Sequence, residues 1–208
     1  MSTFDRNVWK ARAERRLACR TSRGNGVVSP SDIALFKRET AAIRDLSVLA
    51  SWCESKSIVL TFEKRYGCFY APDKKHITIN ARISPERQVH SLLHECGHHL
   101  VGNVKKTGRF SKGWTASGSV KRTFHHRFDV LDEEFEAWDK GWKLALRLGL
   151  VVDKKSFDRT KLVMVRSYVA WAHDPRGFVD DNAPKKNKRK TEKRHDECAE
   201  EGHATAPA

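Results

Sequence analysis

The chain has no apolar run approaching 18 residues, which excludes a membrane-spanning helix on composition grounds. Its N-terminus lacks the apolar core of a secretory signal, and although Arg6, Lys10, Arg12, Arg15, Arg16, Arg20 and Arg23 give it the charge of a transit peptide, Asp5 and Glu14 and the scarcity of serine oppose that reading. Cysteine is sparse and odd in number, at positions 19, 53, 68, 96 and 198, and no CxxC occurs, so no disulfide framework is expected and a reducing, cytoplasmic setting is. Acid is the minority charge. With 26 acidic against 40 basic side chains, the net charge is +14, which favours contact with polyanions such as nucleic acid or an acidic protein.

What remains is enough for one domain. At 208 residues and 39% hydrophobic the chain can bury a real core, and three segments are expected: a basic arm over 1–28, a globular domain over 29–173 and a charged, disordered tail over 174–208. The arm ends in Arg23-Gly24-Asn25-Gly26, which is linker chemistry, and is expected to be an exposed helix with Phe4 and Trp9 among its arginines. Ser29-Pro30-Ser31-Asp32 then caps a helical region, one helix or two, with Ile33, Phe36, Ile43, Leu46, Leu49 and Trp52 turned inward. Three short strands follow, at Ile58–Phe62, Tyr66–Tyr70 and His76–Asn80, with a turn at Ala71-Pro72-Asp73.

The informative stretch comes next. His94-Glu95-Cys96-Gly97-His98 reads HExxH, a string expected by chance roughly 0.03 times in a chain of this composition, so it is specific enough to argue from. Ser84 and Pro85 supply a helix start, and Val89, Leu92, Leu93, Cys96 and Leu100 form a stripe fit to rest on the sheet. His94 and His98 then share another face, where two imidazoles one turn apart can grip one zinc ion with Glu95 beside it. His90 shares that face but lies about 12 Å along the axis from His98, too far to join the same ion, and is read as exposed or as a neighbour of the ligands. His99 is rotated away and read as a partly buried polar residue, and Cys96 as a small core hydrophobe.

Between residues 102 and 128 there is no acidic residue, and Lys105, Lys106, Arg109, Lys112, Lys121, Arg122 and Arg127 make a long basic loop that suits an acidic or nucleic-acid-associated substrate. A second amphipathic helix follows, with Leu131, Phe135, Trp138, Trp142, Ala145 and Leu146 as its expected inner stripe and Gly149 as its stop. On that stripe Glu134 lies about 60° from the first member, whereas Glu133 and Glu136 point roughly 140° or more away. Glu134 is therefore the expected third metal ligand, because a catalytic zinc takes three protein ligands and His2Glu is an established set. A last helix over about 156–172 is expected to pack through Leu162, Val165, Tyr168, Val169 and Trp171.

The strand hairpin feeding HExxH, with a later Glu134-Phe135-Glu136-Ala137 on a helix, resembles the gluzincin-type metallopeptidases and is most similar to the ImmA/IrrE-like proteins of bacteria and phages. The resemblance spans about residues 40–150. It implies an α+β minimal zincin-like domain and an intracellular zinc metallopeptidase: His94, His98 and Glu134 hold zinc, Glu95 is the catalytic base, and a protein or peptide, plausibly a DNA-associated regulator, is the substrate. Some gluzincins carry a carboxylate four residues after the ligand glutamate to orient a ligand histidine; here Trp138 stands there and Asp139 is one residue off. The metzincin pattern fails, since the glycine after the motif comes one residue late, at Gly102. Two alternatives stay open: a SprT-like protease acting on DNA-bound proteins, with His125 or His126 as third ligand, and a basic DNA-binding or scaffold protein with a structural or vestigial zinc. His125, His126, Arg127 and Tyr168 are unranked candidates for an oxyanion donor.

Overall fold

The computed structural model describes residues 29–64, 67–102 and 123–174, together with residues 7, 9–11, 14–15 and 18–19. The basic loop after Gly102 and the charged tail, on which several expectations rested, lie outside them. Among the described residues the architecture is α+β: a three-stranded mixed sheet and four helices. None of these helices is long and apolar enough to cross a membrane.

Helix α1 spans Pro30–Ser55 as one unbroken element. Its start is the expected one: the Ser29 hydroxyl accepts a hydrogen bond from the Asp32 amide at 3.1 Å, and Pro30 occupies the first turn, where no amide donor is required. Burial begins only at Ala42, so Ile33, expected inside, is exposed, while Leu46, Leu49 and Cys53 are fully enclosed.

The strands β1 (Val59–Glu63) and β3 (His76–Asn80) follow the expected runs within a residue, whereas β2 (Phe69–Ala71) is shorter than the expected Tyr66–Tyr70 and starts at Phe69. Their order is β1-β3-β2, with β1 parallel to β3 and β2 antiparallel to it through a turn at Pro72–Lys74. Ile77 and Ile79 of the central strand are completely buried. Trp9 corrects the picture of an exposed arm: it is buried in the core, its ring 5.7 Å from that of Phe62 on β1.

Helix α2 (Pro85–Gly102) carries the HExxH motif and packs on β3, β2 and α1 through Val89, Leu92, Leu93 and Cys96, as the stripe predicted. Helix α3 (Phe124–Arg147), capped by Thr123, packs chiefly on α2, and α4 (Lys154–His173), capped by Asp153, lies on α3. The inner face of α3 differs from expectation. It consists of His126, Val130, Glu133, Glu134, Ala137, Trp138, Gly141, Leu144 and Ala145, whereas Phe135 and Leu146 are exposed. On α4 only Phe157 and Val165 are buried, and Leu162 and Val169 face outward.

That inner face is explained by how closely α2 and α3 approach. A Cβ at Gly97 would fall 1.9 Å from the Ala137 carbonyl oxygen, and one at Gly141 would fall 2.4 Å from that of Leu93. Residue 97 meets 137 and residue 93 meets 141, so the helices run antiparallel with backbones in contact at two points one turn apart. Large apolar residues cannot occupy such a seam. Leu131 and Phe135 are displaced from it, and the small and polar residues take their place.

Gly141→Ala gains roughly 1 kcal/mol of helix propensity, yet it must push α3 off the Leu93 carbonyl, so a net loss of about 1–2 kcal/mol is expected. The urea midpoint at unchanged slope measures it. Gly102→Ala, where an added carbon meets nothing within 4 Å, is the control and should not destabilise.

Candidate metal centre

His94 and His98 lie on the face of α2 turned toward α3, one turn apart, with their Nε2 atoms 3.2 Å from each other. Neither opens to solvent as a free surface pair: the side chains are 7% and 13% exposed. From α3, Glu134 reaches both, its Oε2 lying 3.2 Å from Nε2 of His94 and its Oε1 3.5 Å from Nε2 of His98. The Glu134 side chain is 1% exposed.

These separations test whether the three residues suit a cation. Ligand atoms about 2.0–2.1 Å from a tetrahedral zinc stand roughly 3.3–3.4 Å apart. Here the two Nε2 atoms are 3.2 Å apart, and each has its own Glu134 oxygen at 3.2 Å (His94) or 3.5 Å (His98), separations comparable to that spacing. Two imidazole nitrogens and a carboxylate are also a donor set that zinc accepts. A looser grouping of His94, Glu95 and His98 brings ligand atoms within 4.8 Å of one another. Both Glu134 and Glu95 therefore stand close to the histidine pair, Glu134 with the shorter contacts.

Glu95 is itself 5% exposed. Burial raises its carboxyl pKa; His94 and His98 pull it down, Glu134 pushes it up, and a hydrogen bond from the Tyr70 backbone amide lowers it. That amide belongs to the edge strand β2, which is also tied to α2 through a 2.9 Å hydrogen bond between the Tyr70 hydroxyl and Nδ1 of His99. His99 is thus the partly buried polar residue expected.

Glu133 departs from the sequence reading, whereas Trp138 is buried as its stripe predicts. Glu133, expected to point away, is buried at 6% exposure with its Oε1 3.6 Å from Nδ1 of His98. Trp138, which stands where some gluzincins carry a carboxylate, stacks on His94 with ring centroids 4.4 Å apart and planes 19° from parallel. Asp139 does not substitute, being exposed and ion-paired with Lys161 at 2.7 Å. The signal for the inner face was in the sequence, in Ala137 and Gly141 spaced four apart, but a stripe drawn through the largest apolar residues passes over it.

The remaining candidates fall away from the pair. His90 is neither exposed nor near the ligands' nitrogens: its Nδ1 bonds the Thr160 hydroxyl at 2.9 Å and its ring meets Phe157 edge-on, joining α2 to α4. Cys96 is fully buried, its sulfur 3.8 Å from that of Cys53, and is the core residue expected. His125 is exposed, and Arg127 is committed to the Ala172 carbonyl. His126 is buried against Trp171 but lies about 12 Å along α3 from Glu134, out of reach of a shared ion. Tyr168 is half-buried on α4.

The electrostatics of the cluster are one-sided. Burial opposes charge on His98, but hydrogen bonding to Glu133 and Glu134 outweighs it and pushes the pKa up to about 10. Burial likewise opposes charge on Glu134, and the two histidines overcome it and hold the carboxyl well below its usual range. Compared with models of known families, with curated proteins and with solved structures, the chain matches none.

Because His98 is protonated at neutral pH in the cation-free protein, a cation must expel that proton to bind. Zinc uptake should release about one proton, and apparent affinity should rise about tenfold per pH unit from pH 6.5 to 8.5. Chelator competition across that range measures the slope. The same shift stabilises the cation-free fold below pH about 6.5, and that contribution disappears as pH rises toward about 10.

Proposed function

We propose that this chain is a zinc-dependent metallopeptidase, with His94, His98 and Glu134 as metal ligands and Glu95 as catalytic base. The observation that carries the reading is the convergence of two imidazole nitrogens 3.2 Å apart with the Glu134 carboxylate, one oxygen 3.2 Å from His94 and the other 3.5 Å from His98, drawn from two elements far apart in sequence and set beside a buried glutamate. A zinc ion held there supplies Lewis acidity toward a carbonyl and brings the pKa of water toward about 7.

Glu95 then takes the proton of the attacking water and returns it to the leaving amine. Burial favours this role, because it raises the carboxyl pKa and so makes the group a stronger proton acceptor. The Tyr70 amide fixes which way the carboxylate faces. The resemblance to gluzincins, and within them to the ImmA/IrrE-like proteins, supports the same assignment and a zincin-like fold. Neither His125 nor His126 is positioned as the SprT-like alternative requires.

Glu95→Gln should lower peptide hydrolysis by at least about 10²-fold while zinc content, read by metal analysis, stays at that of the unaltered chain. Unchanged turnover in that variant would remove Glu95 as the base. The net charge of +14 supports an acidic or DNA-bound protein substrate. Added duplex DNA should then stimulate cleavage of such a substrate, and raising salt from about 50 to 200 mM should abolish the stimulation. Cleavage indifferent to both would confine the charge to another role.

A further inference from the structure

We propose that Glu133 is the positioning residue of the metal centre, its carboxylate holding His98 with Nδ1–H toward Glu133 and the Nε2 lone pair toward the cation. The inference rests on the metal-site reading above and deepens it.

Glu133 and Glu134 are consecutive on α3, so their side chains leave the helix about 100° apart. That divergence lets them reach the same imidazole from opposite sides. Glu134 Oε1 is 3.5 Å from Nε2 of His98, and Glu133 Oε1 is 3.6 Å from its Nδ1. At 3.6 Å the second contact is an ion-pair separation, about 0.6 Å longer than a closed N–H···O bond. A small rotation of either side chain closes it.

The chemistry of imidazole makes the pairing directional. A neutral ring carries one N–H, and a carboxylate at Nδ1 accepts it there, leaving Nε2 as the lone pair that a metal requires. Without that acceptor both tautomers compete, and one of them presents N–H to the cation. Burial strengthens the case, because the Glu133 side chain is only 7% exposed and a carboxylate withdrawn from water is retained where a partner compensates it.

His94 provides the contrast. Its Nδ1 is buried with no hydrogen-bond partner among the described residues, and its ring is held instead by the face of Trp138. One histidine is fixed by charge, the other by packing.

The experiment uses the full chain, loaded with zinc, with Glu133→Ala, Glu133→Gln and Glu133→Asp variants compared by chelator competition and by ¹⁵N NMR of labelled histidines. Glu133→Ala should weaken zinc binding about 10–100-fold, Glu133→Gln less, since its amide oxygen still accepts Nδ1–H, and Glu133→Asp should recover part of the loss. The hydrogen-bonded Nδ1 proton of His98 should vanish in Glu133→Ala while the His94 signals stay in place. A purely structural role would leave that signature unmoved, and the near-isosteric Gln variant covers the case in which Ala does not fold. Zinc affinity within about twofold of the unaltered chain in Glu133→Ala overturns the proposal and leaves the metal site standing. Zinc loss in the variant with no peptide hydrolysis by the unaltered chain upholds the proposal and overturns the peptidase reading. An unaltered chain that takes up no zinc overturns both.

Discussion

The backbone contact between α2 and α3 sets everything else in this molecule. Gly97 against Ala137 and Gly141 against Leu93 bring the helices closer than side chains at those positions allow. A glutamate side chain spans only a few ångströms, so at an ordinary interaxial distance of 8–10 Å its reach toward a partner helix's histidines is marginal. At the closer crossing two consecutive glutamates both arrive, and both are shut away from solvent. The distances among His94, His98 and Glu134 are thus a property of the seam before they are a property of any single side chain. His94 and His98 flank Gly97 in sequence, and Glu134 precedes Ala137 by less than one turn, so the contact points and the ligands are set by the same few turns of each helix.

A seam holding two carboxylates and two imidazoles is expensive to fold, because each charge gives up water and the mutual attraction only partly offsets that loss. Such a cluster is a poor stabilising device. The fold contains a useful comparison in Asp45, another carboxylate at 1% exposure. Its two oxygens accept from the Val151 amide at 3.0 Å and from the Arg44 guanidinium, so it pins the α3–α4 connection to α1 and its burial is accounted for by structure alone. Glu133 and Glu134 instead face imidazoles. The arrangement keeps the Glu134 carboxyl ionised and makes His98 hold its proton strongly.

Much of this was readable in advance, and the failures share a cause. Ser29-Pro30 and Ser84-Pro85 mark helix starts because capping and proline act locally, and β1 and β3 follow β-branched runs whose preference is equally local. His94, Glu95, His98 and Glu134 could be singled out because HExxH fixes its own face and a catalytic zinc asks for a third ligand. The inner face of α3 was misdrawn because hydrophobic size was taken as the guide to burial. At a close crossing size works the other way: Ala137 and Gly141 are inside, while Phe135 and Leu146 are 44% and 63% exposed. Redrawing the stripe through the small residues turns Glu133 inward along with Glu134, and the overlooked carboxylate appears. Trp9 lay beyond the reach of the sequence for a different reason, since nothing local ties residue 9 to Phe62.

The sheet's part in the site is narrow. Only its edge strand β2 touches the chemistry, through Tyr70, whose backbone amide binds Glu95 and whose hydroxyl binds His99. One residue therefore meets the Glu95 carboxylate and clamps the strand to the helix that carries it. His94, His98 and Glu134 depend on the helical seam for their spacing, whereas Glu95, on the same helix as the two histidines, also meets the strand through the Tyr70 amide. The strand thus restrains a side chain that the seam alone does not.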